Sequence, residues 1–197
     1  MSIIEFIILA IALSFEALIV MHGCASKSNI RLTKGLAESA IIALESSALL
    51  IIGMWIGNLL RFTPESLGES STRDLLTDSD NLVCLALMIF VALRLMFRTG
   101  SKKHKAPSYD ISRFGTAVLL GIAVGINSLL VGLGLGFRID AGDNIWRAAV
   151  PLFVITTIFA LLGVMLGRQQ KDLRSRRYAL VAALFILAFA LKGAIWG

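Results

Sequence analysis

Apolar residues run along this chain in six stretches broken by polar ones: 3–24, 36–60, 82–97, 114–137, 145–167 and 178–196. Most approach the roughly 20 residues that a helix needs to cross the hydrocarbon of a bilayer, and the third is short. None alternates apolar with polar at period two, so the pattern predicts helices and not barrel strands. The predicted fold class is all-α, a polytopic membrane protein with six transmembrane helices.

Composition agrees with the pattern. Hydrophobic residues make up 57% of the 197, charged ones 16%, and the mean hydropathy is +0.82, which excludes an ordinary water-soluble core. Cys24 and Cys84 form no CxxC and fall in different apolar runs, so they read as packing residues. The N-terminus carries Glu5 where a secretory signal would carry a base, and its run is expected to remain as the first span.

The net charge of +6 is distributed by side. The first, third and fifth connections hold thirteen bases, among them Lys27, Arg31 and Lys34, then Arg98 to Arg113, then Arg168 to Arg177. The second and fourth hold four, Arg61, Arg73, Arg138 and Arg147, with seven acids among them. By the positive-inside rule the odd connections are cytoplasmic and both termini lie outside. This alternation accounts for the charge without a nucleic-acid partner.

The second half echoes the first. Ala12-Leu-Ser-Phe-Glu-Ala-Leu18 aligns with Ala123-Val-Gly-Ile-Asn-Ser-Leu129 at a shift of 111, which makes Glu16 and Asn127 twin positions. Ile52-Gly-Met-Trp-Ile-Gly57 resembles Leu162-Gly-Val-Met-Leu-Gly167, and Ala92-Leu-Arg94 resembles Ala190-Leu-Lys192. Three spans is an odd number, so the repeats are expected to be inverted, an arrangement typical of secondary transporters with a midplane site between halves. The chain is read as one membrane domain, 1–197, with repeat one at 1–99, a basic linker at 100–113 and repeat two at 114–197.

Chemistry enters with the carboxylates. A charge at the centre of a lipid-spanning helix costs about 2.5 to 3.5 kcal/mol on insertion scales, so Glu16 requires a reason. It shares a helical stripe with Ala12, Val20 and Gly23, where another helix can approach. Glu45, in the second run, is expected at a similar depth. Glu16, Glu45 and Asn127 then form a candidate metal set, with Ser46, Ser128 and Thr156 as neutral oxygens; such ligands suit hard divalent cations. Arg94 is the candidate charge partner of the acids, and Lys192 is expected to snorkel outward. The glycine stripes read as packing surfaces, and Trp55, Trp146 and Trp196 as interface anchors. Walker A, HExxH and GxSxG motifs are all missing, so neither an enzyme nor an ATP-driven pump is indicated.

Ala12-Leu-Ser-Phe-Glu-Ala17, Ile126-Asn-Ser-Leu-Leu-Val-Gly-Leu-Gly-Leu135 and Leu162-Gly-Val-Met-Leu-Gly-Arg168 together resemble the MntP-type manganese efflux family, in order and spacing over nearly the whole chain. The resemblance implies six helices in two inverted repeats and export of Mn2+ across a bacterial inner membrane. The family pattern has Asp at both twin positions, where this chain has Glu16 and Asn127. The expected function is a secondary transporter exporting a divalent cation, Mn2+ first, by alternating access in exchange for protons. Its partners would be the ion and the bilayer, with Mn2+ as substrate and no cofactor. Two alternatives stand beside it: export of a small zwitterion such as an amino acid, with Arg94 holding the carboxylate and Glu16 the amine, and a non-transporting membrane protein with a degenerate site.

Overall fold

The computed structural model describes residues 3–26, 32–60, 82–95, 114–138, 141–169 and 181–188. Each expected apolar run contains a helix: α1 (Ile3–Ala25), α2 (Leu32–Leu60), α3 (Leu82–Leu95), α4 (Phe114–Arg138), α5 (Ala141–Arg168) and α6 (181–188). Helices α1, α2, α4 and α5 are long and apolar enough to cross a membrane; α3 is a shorter apolar helix. Both α2 and α5 begin four residues before the apolar runs do, because hydropathy marks only the part of a helix that lipid surrounds, and hydrogen bonding continues into a polar first turn. The two central connections, Lys192, Trp196 and most of the loop bases lie outside the described residues.

Outer faces carry Leu44, Ile52, Leu119, Ile158 and Leu184, all exposed, as expected for helices whose outward side meets lipid. Trp55 and Trp146 are exposed with them. Cys24 and Cys84 are buried in two different apolar clusters, which bears out their packing role.

Glycines carry the helix contacts. A methyl group at Gly53 would collide with the Leu129 carbonyl oxygen, and one at Gly57 with that of Leu133. Helices α2 and α4 therefore touch backbone to backbone and run in the same direction. The twins of these residues repeat the contact elsewhere: a methyl at Gly163 would collide with the Leu18 carbonyl oxygen, and one at Gly167 with that of His22. Leu18 and His22 are themselves the twins of Leu129 and Leu133 at the shift of 111. Helices α1 and α5 thus reproduce these two glycine contacts of the α2–α4 interface. Gly35, near the start of α2, meets Val164, near the end of α5, so that pair runs antiparallel. Small residues are what allow this approach in a medium where apolar side chains gain nothing by leaving lipid.

Along each long helix the buried residues change character in the same order. One apolar cluster joins Ala17 to Ala25 of α1, Ile42 of α2, Ala117 to Val124 of α4, and Ala160 and Val164 of α5. The other joins Phe6 to Leu13, Leu50 and Met54, Val131 and Leu135, and Ala148 and Leu152, together with α3 and α6. Between the two clusters, on all four long helices, lie buried polar residues: Ser14 and Glu16, Ser46 and Ser47, Asn127 and Ser128, and Thr156. A polar layer held between two apolar ones is costly, because each unsatisfied group forfeits about 1 to 3 kcal/mol of solvation. Packing alone does not call for it.

Candidate functional site

The twin positions meet in this layer. Asn127 Nδ2 donates to Glu16 Oε2 at 2.5 Å, with Glu16 only 8% and Asn127 2% exposed. The stripe predicted around Glu16 is the reason: Ala12, Val20 and Gly23 are all buried beside it. Arg94, at the end of α3, donates from Nη1 to Asn127 Oδ1 at 2.6 Å. It was expected to be the charge partner of the acids, and the amide of Asn127 links its guanidinium to Glu16.

Thr156 lies in the same layer but on another side of α1. Its hydroxyl and that of Ser14 are 2.8 Å apart, and Ser14 Oγ also donates to the Ala10 carbonyl at 2.6 Å. Ser14 has one proton, which the carbonyl takes, so Thr156 is the donor of the pair. Ser14 precedes Glu16 by two residues, about 200° around the helix, which puts the hydroxyl pair and the Glu16–Asn127 pair on different faces. Ser14 was not among the expected site residues. The only sequence signal was a hydroxyl inside an apolar run, two residues before an acid.

Glu45 occupies a separate seat. A methyl group at Gly121 would overlap its Oε2, so the carboxylate rests in the notch left by that glycine, six residues or about 9 Å along α4 from Asn127. Ser46 lies against Gly125. Glu45 Oε2, Ser46 Oγ and Ser47 Oγ are buried with no hydrogen-bond partner among the described residues. Ser128 is buried at 2% exposure. Glu16, Asn127 and Arg94 are thus brought together, Thr156 and Ser46 lie in the same polar layer, and Glu45 is seated beside Gly121, next to the cluster that holds Ala117 to Val124. Among the described residues no three His, Cys, Asp or Glu side chains are grouped to hold a metal ion. The layer offers one carboxylate, one amide and several hydroxyls, a hard oxygen set.

The family model described as "Putative manganese efflux pump" matches residues 66–193. The chain belongs to this family. Curated relatives bear the same description with the name MntP. That of Actinobacillus succinogenes is 27% identical over 121 residues, covering 60% of this chain and 62% of the relative. That of Pseudomonas fluorescens is 28% identical over 122 residues, covering 59% and 62%. The Pseudomonas syringae pv. tomato relative is 25% identical over 190 residues, covering 95% and 92%. The chain therefore spans under two thirds of the first two and nearly all of the third. No solved structure matches it. The family's description is that of a transporter and not of an enzyme.

Proposed function

We propose that this chain exports a divalent cation, Mn2+, by alternating access. The observation that carries the reading is the Asn127–Glu16 hydrogen bond, which joins twin positions of the two repeats inside a layer closed on both sides by apolar clusters. Burial of a carboxylate there has a use if a positively charged passenger needs it. Family membership supports the passenger's identity, since the relatives are named for manganese.

The repeats, 1–99 and 114–197 joined by the linker 100–113, would form one domain of six spans in an inverted pair. The matched glycine contacts of α2 with α4 and of α5 with α1 support this, as does the antiparallel α2–α5 pair that relates them. Rocking of one repeat against the other would open the layer first to one side and then to the other. Glu16 would be the charged ligand and Asn127, Ser128 and Thr156 neutral ones, with Glu45 and Ser46 as a second station along α4. A carboxylate held from water can exchange a departing cation for a proton, which gives proton-coupled export. Both termini would lie outside a bacterial inner membrane, a reading that the distribution of bases along the sequence supports.

One observation favours a second reading. Arg94 and the acid Glu16 flank the same amide, which is the charge pattern that a small zwitterion would complement. Reconstituted flux separates the two. Liposomes containing the chain are expected to pass Mn2+ down an imposed gradient and to leave a labelled amino acid behind. Amino-acid flux without Mn2+ flux would reverse that choice.

A further inference from the structure

The hydrogen bonds around Asn127 fix which way its amide points. A guanidinium has only donors and an ionised carboxylate only acceptors, so Oδ1 must face Arg94 and Nδ2 must face Glu16. The consequence for a cation is direct. The one oxygen that Asn127 has to offer is turned to Arg94, and the group it turns to Glu16 carries partial positive charge.

We infer that Arg94 is a built-in competitor of the cargo cation, and that Asn127 is a two-position ligand which Arg94 holds in its non-ligating position. The inference rests on the reading of Glu16 as the cargo's carboxylate. Loading requires Arg94 to release Oδ1 and the amide to turn over, about 180° around its last torsion, so that its oxygen joins the Glu16 carboxylate. Unloading runs in reverse: the guanidinium reclaims the oxygen, and the ion loses a ligand.

The fit of each residue type supports this. An aspartate at 127 would accept from Arg94 equally well, yet it would set an acceptor against Glu16 where the amide sets a donor. An amide at 127 carries both an acceptor and a donor, so it stands between the arginine and the carboxylate and satisfies both. Arg94 is also suited to reversible engagement. It is half-buried near the end of α3, on a long side chain whose guanidinium can exchange partners without backbone movement.

The test uses the full chain, purified, with Mn2+ as the probe and both binding and liposome flux as readouts. Arg94→Met is expected to tighten Mn2+ binding about tenfold, equivalent to about 1.4 kcal/mol, and to slow flux at saturating Mn2+ several-fold. Arg94→Lys, which keeps the charge and one donor at a time, is expected to fall between Arg94→Met and wild type. A merely structural role would weaken binding and flux together. If Arg94→Met does not fold, Arg94→Gln removes the charge while keeping a donor for Oδ1, and is expected to shift binding the same way by a smaller factor. Unchanged or weaker binding in a folded, neutral Arg94 variant overturns the inference. Glu16→Gln is measured in parallel. Should it bind Mn2+ as tightly as wild type, the reading of Glu16 fails, and that outcome is separate from anything the Arg94 variants do.

Discussion

In a cell lacking its own manganese exporter, this chain is expected to restore growth on manganese, and Glu16→Gln to remove the restoration entirely. The substitution is nearly isosteric, and the new amide oxygen can still accept from Asn127 Nδ2, so the α1–α4 contact persists while the charge does not. Two unit charges 4 Å apart interact by about 4 kcal/mol at an effective dielectric of 20, and a divalent ion gains more. A loss of about 4 kcal/mol weakens binding roughly a thousandfold, enough to empty the site at cellular metal levels. Growth across a manganese series, with protein amount followed by immunoblot, checks this. Tolerance equal to wild type would take Glu16 out of the transport path.

The second large effect concerns the glycines. Gly53→Ala and Gly163→Ala are each expected to destabilise the chain by about 1 to 3 kcal/mol, with similar losses at the two sites. The new methyl groups would meet backbone carbonyl oxygens of Leu129 and Leu18, which cannot rotate aside, so each pair of helices must separate. Gly115→Ala provides the control. Nothing lies within 4 Å of a methyl group there, so it is expected to be neutral or to gain up to about 1 kcal/mol of helix propensity. Thermal unfolding in detergent reads all three. Equal midpoints for Gly53→Ala and Gly115→Ala would mean that α2 and α4 do not touch through their backbones.

Much of this arrangement was legible in the sequence because lipid imposes simple rules. A hydrocarbon-spanning helix must be apolar, so each of the six runs contains a described helix, four of them long enough to span, and a carboxylate within one stood out against its neighbours. The ungapped shift of 111 was enough to pair Glu16 with Asn127 as twins, and the structure joins them directly. The choice of helix partners was not legible. Helix α2 does not segregate its polar and apolar residues onto opposite faces, so no face announced that it would pack on α4, or that α1 would pack on α5. That information lay in the glycines, whose stripes marked a contact surface without naming the helix opposite.

The site was legible in part for a similar reason. Charge alone suggested that Arg94 would face an acid, but the donor and acceptor inventory of Asn127 lets it stand between them, and sequence gives no distance with which to see this. Glu45 was expected at a depth similar to that of Glu16, since the first run was read as crossing inward and the second outward. Its carboxylate instead takes the space that Gly121 leaves, a notch visible only once α2 and α4 are set side by side. Ser14 was not legible as a site residue, because a single hydroxyl adds little cost to a membrane helix and its partner Thr156 is 142 residues away.

The most direct measurement is a structure of the full chain with Mn2+ bound, with the ion located by its anomalous scattering. The account predicts a peak in the polar layer with a Glu16 carboxylate oxygen in its coordination shell, within the range of about 2.0 to 2.6 Å over which Mg2+ and Ca2+ hold such ligands. A peak elsewhere in the chain, with Glu16 still bonded to Asn127 and remote from the ion, would contradict it.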